Sequence, residues 1–115
     1  MTHTREFPAD LARAGEARVF IAWTGAVAGL RGGSLSDLAI AAEALLTDVF
    51  LSIEPVGVDG MLEVEAGIEA GSVKIIIRHP ELRDRRMAGL QGILDQYLDG
   101  HELSPEKAVL VKRNK

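Results

Sequence analysis

Cysteine is absent from this chain of 115 residues. Its absence excludes disulfides and thiolate zinc sites, and it fits a reducing compartment. Aromatic side chains make up only 4% of the residues, too few for stacking single-stranded nucleic acid. No apolar run approaches the roughly 20 residues that span a bilayer. The longest candidate, Val19 to Leu30, is broken by Thr24, Gly25 and Gly29. A basic surplus is missing as well: the net charge is −4 and the pI is about 5.3. Arg83, Arg85 and Arg86, with Lys112, Arg113 and Lys115 in the tail, are too few to turn that balance toward phosphate backbones. Met1 to Asp10 is too polar for a signal peptide. These absences lead us to expect a cytoplasmic protein with no nucleic-acid partner and no membrane segment.

What is present is a chain long enough to bury one core, so residues 1–115 are read as a single domain. The clearest pattern runs from Ser34 to Glu54. Leu38, Ala41, Ala42, Leu45, Val49 and Ile53 recur at spacings of three and four, which puts them on one helical face. Ser34 or Ser36 suits the N-cap, Asp37 complements the dipole in the first turn, and Pro55 ends the helix. An earlier helix opens at Pro8 and Asp10. Its expected buried stripe is Leu11, Ala14, Ala17, Phe20, Ile21, Thr24, Val27 and Ala28, with Gly29 or Gly32-Gly33 as the stop. Gly15 and Gly25 each cost about 1 kcal/mol against alanine inside a helix, unless they admit a close neighbour. Met1 to Phe7 is a frayed end or a short edge strand.

Past Pro55 the period changes to two. Leu62, Val64, Ala66 and Ile68 alternate with glutamates, Glu69-Ala70-Gly71-Ser72 turns the chain, and Val73, Ile75 and Ile77 continue the buried face. Lys74 and Arg78 are placed to face the glutamates, with Ile76 the exception on that outer side. A charged connector, Glu81 to Arg86, leads to a third helical stripe of Met87, Leu90, Ile93, Leu94, Tyr97 and Leu98, closed by Gly100. Ser104-Pro105 turns into a last strand, Lys107 to Lys112. The expected fold class is α+β: a two-layer α/β sandwich with helices on one face of a mostly antiparallel or mixed sheet.

This order of elements, the phrase DLAIAAEALLTDVF, the hairpin, and MAGLQGILDQYLD followed by AVLVKR resemble the anti-sigma factor serine kinases, small members of the histidine-kinase-like (GHKL) ATPase superfamily. The resemblance covers roughly Pro8 to Lys112 and implies a reduced, Bergerat-like sandwich. Its most specific part reads D-[IL]-x-[IL]-A-V-x-E-A-x-T-N in the family, matched here by Asp37, Leu38, Ile40, Ala41, Leu46 and Thr47. The departures are chemical. The family's general-base glutamate falls on Ala44, with Glu43 one position early and so about 100° away around the helix. The asparagine that holds magnesium on ATP falls on Asp48, which makes Asp48 the one candidate cofactor-binding residue. The adenine-reading D-x-G-x-G is replaced by Arg78-His79-Pro80-Glu81-Leu82, and a third glycine cluster shrinks to Gly89 and Gly92.

The resemblance with these losses implies a regulatory protein-binding module of the anti-sigma type, with no catalytic residue, no metal site and no cofactor. Its partner would be a sigma factor or an anti-sigma antagonist, and the family's homodimer is implied as well. Two other readings stay open: a working serine kinase that uses ATP and magnesium at Asp48, and an adaptor that dimerises with an intact paralogue. Against the Asp48 site stands the plainer expectation that Glu43 and Asp48 both lie solvated on the exposed edge of their helix. His79 beside Pro80 is read as structural, because no serine, cysteine or aspartate completes a relay. His3 and His101 lack metal-ligand spacing. Gly32-Gly33 lacks the lysine of a phosphate loop. Trp23 is expected in or near the core, with a partner anchor as the sharper reading. Arg83, Arg85 and Arg86 read as a wet connector, or as a dock for an acidic partner.

Overall fold

In the computed structural model, residues 1–53, 60–80 and 89–114 are described. Strand β1 (Thr2–Pro8) is followed by a single 3-10 turn at Leu11–Arg13 and helix α1 (Ala14–Val27). Helix α2 (Gly32–Ile53) leads to strands β2 (Met61–Glu69) and β3 (Ser72–Arg78). Helix α3 (Leu90–Tyr97) and the hairpin β4 (Gly100–Leu103) and β5 (Lys107–Arg113) complete the order. The strands form one sheet in the order β1-β2-β3-β5-β4. Every described pairing is antiparallel, and the helices pack on the sheet. The α+β sandwich expected from the pattern is the fold observed.

Helix α2 is apolar over most of its circumference and must be covered on several sides. Leu38, Ala41, Ala42, Leu45, Leu46, Val49 and Phe50 are all buried, and each of the larger side chains contributes roughly 1.5–3 kcal/mol by leaving water. The sheet supplies the facing layer from Leu62, Val64, Ala66, Val73, Ile75, Ile77, Ala108 and Leu110. The alternation read in the hairpin holds residue by residue, with Glu69 and Ser72 paired across the Ala70-Gly71 turn and Gly71 at φ 80°. On the outer face Arg78 reaches Glu63 at 2.7 Å and Glu65 at 3.4 Å. Lys74 was expected to face a glutamate too, but its cross-strand neighbour is Gly67.

Helix α1 ends as its glycine suggests. Gly29 takes φ 92°, its N–H bonds to Ala26 O, and Leu30 N–H returns to Gly25 O, both at 3.0 Å. That pair of bonds is the left-handed glycine stop. Helix α2 then begins at Gly32, ahead of either serine named as its cap, and Ser34 is buried within the first turn. The last helix is shorter than its pattern. Leu98 is already extended, and Gly100, read as a helix stop, opens the four-residue strand β4. So short a strand shows no period, and its pairing with β5 is what makes it a strand. Val27 is exposed, whereas Ala17, Phe20, Ile21, Thr24 and Ala28 of the same expected stripe are buried. The Leu11 and Ile53 side chains, Pro55, Asp59, the Glu81–Arg86 connector, Leu82 and Met87 lie outside the described residues.

The two long helices meet closely at Gly25. A β-carbon there would sit 2.7 Å from Leu38 Cδ2 and 3.1 Å from Leu35 Cδ1, and Leu38 has no exposed surface to move into. At Gly15 nothing approaches. Gly25→Ala is therefore expected to destabilise the fold, because overpacking costs about 1–3 kcal/mol and outweighs a helix-propensity gain of about 1 kcal/mol. Urea denaturation of the variant measures this; a rise in stability would contradict the close crossing.

Candidate functional site

The residues singled out on α2 point in different directions. Glu43 is exposed, and its carboxylate accepts from Arg18 Nη1 on α1 at 3.3 Å. Thr47, one turn further on, shares with Glu43 and Arg18 a small cleft of about 150 Å³ between the two helices. Asp48 is turned away from that cleft and is 0% exposed. The expectation that Asp48 is solvated on the helix edge is thus corrected, and it holds only for Glu43. The reason is rotation: one residue moves a side chain about 100° around the axis, here from the α1 side into the covered face. Asp48 is not without a polar partner, and Ser52, one turn beyond it, is buried as well.

A nucleotide site of the kinase type needs a base and a magnesium ligand presented together. Ala44 carries no base, and Asp48 has no accessible surface. Among the described residues, no group of three His, Cys, Asp or Glu side chains could hold a metal ion. Positions 44 and 48 thus present neither a base nor an exposed metal ligand. His79 is buried at the end of β3; its backbone N–H donates to Glu106 O at 2.9 Å, and its Nδ1 lies 2.8 Å from Pro80 O. His101 Nε2 lies 2.5 Å from Asp95 Oδ1, joining β4 to α3. His3 belongs to neither group, standing edge-on to Trp23 with ring centroids 5.2 Å apart.

Two features escaped the sequence reading. The first is Lys112, counted there with the basic tail but only 1% exposed. Its ammonium donates to Tyr97 O at 2.8 Å and to Asp37 Oδ2 at 3.4 Å, with Asp99 Oδ2 at 3.9 Å. One buried cation thereby joins the start of α2, the end of α3 and β5. The signal was available in the alternation, since Ala108, Leu110 and Lys112 fall on one face of the strand.

The second is the outer side of α1. Trp23 is 49% exposed, where a core position was expected, and Val19 at 64% and Val27 at 47% lie on the same side. Trp23 stacks on Phe20 at 6.1 Å, and Arg5 lies over the Phe7 and Phe20 rings at 5.3 and 5.5 Å. Between β1 and α1 this leaves a cleft of about 410 Å³ lined by His3, Arg5, Glu16, Val19 and Trp23 among others. Glu16 is held in a two-bond pair by Arg13, at 2.9 and 3.1 Å. That hydrogen bond, and then the Glu16 charge, keep the Arg13 guanidinium above its ordinary pKa.

No protein-family model matches the chain, and no curated protein matches it at a significant level.

Lys112→Ala is expected to cost about 3 kcal/mol, since it leaves a buried carbonyl and two partly solvated carboxylates without their cation. Lys112→Met, which keeps the apolar stem, should cost less. Chemical denaturation of both variants tests this. A loss no larger than that of an exposed lysine, about 0.5 kcal/mol, would show that the Lys112 contacts do not hold these elements together.

Proposed function

We propose that this chain is a regulatory protein-binding module of the anti-sigma type, acting by surface contact and without phosphoryl transfer. The observation that carries this reading is the sealed position of Asp48, the one residue left at the magnesium position, beside an alanine where the base is needed. What the fold offers to solvent in exchange is apolar and aromatic: Val19, Trp23 and Val27 on α1, beside the edge strand β1. Aromatic anchors of this kind are enriched where proteins bind proteins. The partner is a sigma factor or an antagonist of anti-sigma factors, and the compartment is the cytoplasm. No described helix is long and apolar enough to cross a membrane. Pairing of two copies belongs to the same reading.

Calorimetry with ATP and magnesium at millimolar concentration should record no binding, and purified sigma-type partners should be retained by the immobilised chain. Saturable nucleotide binding, or a phosphorylated serine on a retained partner, would overturn the proposal. Retention of an intact GHKL chain in place of a sigma factor would make the protein an adaptor.

A further inference from the structure

Strand β1 lies at one edge of the sheet, and its backbone groups point alternately toward β2 and away from it. Met1 and Ile68 exchange both backbone bonds, at 3.1 and 2.7 Å, and Ala9 N–H donates to Gly60 O at 2.9 Å. Antiparallel pairs alternate between bonded and non-bonded residues. His3, Arg5 and Phe7 are therefore turned toward β2, whereas Thr2, Thr4 and Glu6 present their N–H and C=O groups to the open edge. Pro8, which has no N–H, falls in the outward set, where no ladder bond is lost. The opposite edge strand, β4, has four residues, against seven in β1. A long edge without lysine is a template for another strand.

The side chains beside this edge have a definite character. His3, Arg5 and Phe7 lie on the face that carries α1, and Thr2, Thr4 and Glu6 on the other. Arg5 makes no ion pair among the described residues, and its carboxylate neighbour Glu16 is engaged by Arg13. A strand placed along β1 would thus meet one uncompensated cation, with Val19 and Trp23 as an apolar wall beyond it.

We propose that β1 is a docking edge for an extended segment of a protein partner. That segment adds to the sheet as a further strand, with a carboxylate side chain beside Arg5 and a large apolar side chain against Val19 and Trp23. This rests on the protein-binding reading above and names the surface and the chemistry of the partner. Charge selects the occupant. Antiparallel self-pairing that uses the outward groups sets Arg5 opposite His3 of a second copy when Thr4 is on the axis. With Arg5 on the axis it sets arginine against arginine. The second puts two guanidinium cations directly across a pair, which is destabilising, and the first sets Arg5 against an imidazole; an acidic segment gives Arg5 the counter-charge that neither arrangement supplies.

The test uses the full chain, isotope-labelled for NMR, and two short peptides in which leucine alternates with threonine. One carries glutamate at a central leucine position, the other lysine. The acidic peptide should shift the Thr2, Thr4 and Glu6 amides and the Trp23 indole N–H. The lysine peptide should bind weaker by roughly tenfold or more. Thr4→Pro should abolish binding with only a small change in melting temperature, because the Thr4 N–H has no bond among the described residues. Arg5→Gln, which leaves the backbone alone, should bring the acidic peptide down to the level of the basic one. Silence of the β1 amides, equal binding of both peptides, or a dimer of the free chain that Thr4→Pro dissolves would each overturn the proposal. A Thr4→Pro chain that retains a sigma-type partner at full affinity would remove the docking edge and leave the protein-binding reading in place.

Discussion

Burial of α2 is the constraint on which the remaining structure depends. A helix with apolar side chains on most of its circumference cannot exist in water alone, so the sheet must cover one side and α1 and α3 the flanks. Ala41 and Ala42 keep the central turns slim, and Gly25 lets α1 approach Leu38 without a side chain between them. The sheet meets this demand with an uninterrupted inner face, which the alternation of β2 and β3 and the Ala108–Leu110 side of β5 supply. Lys112 closes the end of this arrangement. An ammonium held by a carbonyl and two aspartates satisfies polar groups at the margin of the core that apolar packing alone would leave unpaired.

The same burial shapes the functional reading. Enclosing α2 on several sides takes Asp48 out of contact with solvent, whereas Glu43 and Thr47 border a cleft of about 150 Å³ against α1. Part of the apolar surface left over from the packing, Val19, Trp23 and Val27, lies on the flank of α1 next to β1, while Ile40 and Leu51 are exposed on α2. A protein whose accessible apolar groups lie along a sheet edge is suited to holding an extended chain, where backbone bonds supply affinity and alternate side chains supply selectivity. This is why the proposed role is one of contact and not of chemistry.

Parts of this were legible from residue order. The β2–β3 hairpin could be read directly, since Leu62, Val64, Ala66 and Ile68 repeat at the strand period and Gly71 marks the turn. Glycine chemistry offered Gly29 or Gly32-Gly33 as the α1 stop, and the chain uses Gly29. Strand β4 was not legible: its four residues, Gly100 to Leu103, become a strand only by pairing with Lys107–Arg113. Trp23 misled for a related reason. It was expected in or near the core as a large aromatic, but it lies beside the buried stripe of Phe20, Ile21 and Thr24 and is half exposed.

By itself, then, the order of residues determined where the chain turns, which stretches repeat at the helical or strand period, and that helices must share one side of a sheet. Those are properties of neighbours within a few positions, where hydrogen bonding and side-chain direction are set locally. The strand order β1-β2-β3-β5-β4, the burial of Asp48 and Lys112, and the exposure of Trp23 were decided only in the tertiary structure. Periodicity says which face a side chain shares. Whether that face is covered depends on the width of the layer laid over it, and that is fixed by contacts between segments far apart in the chain.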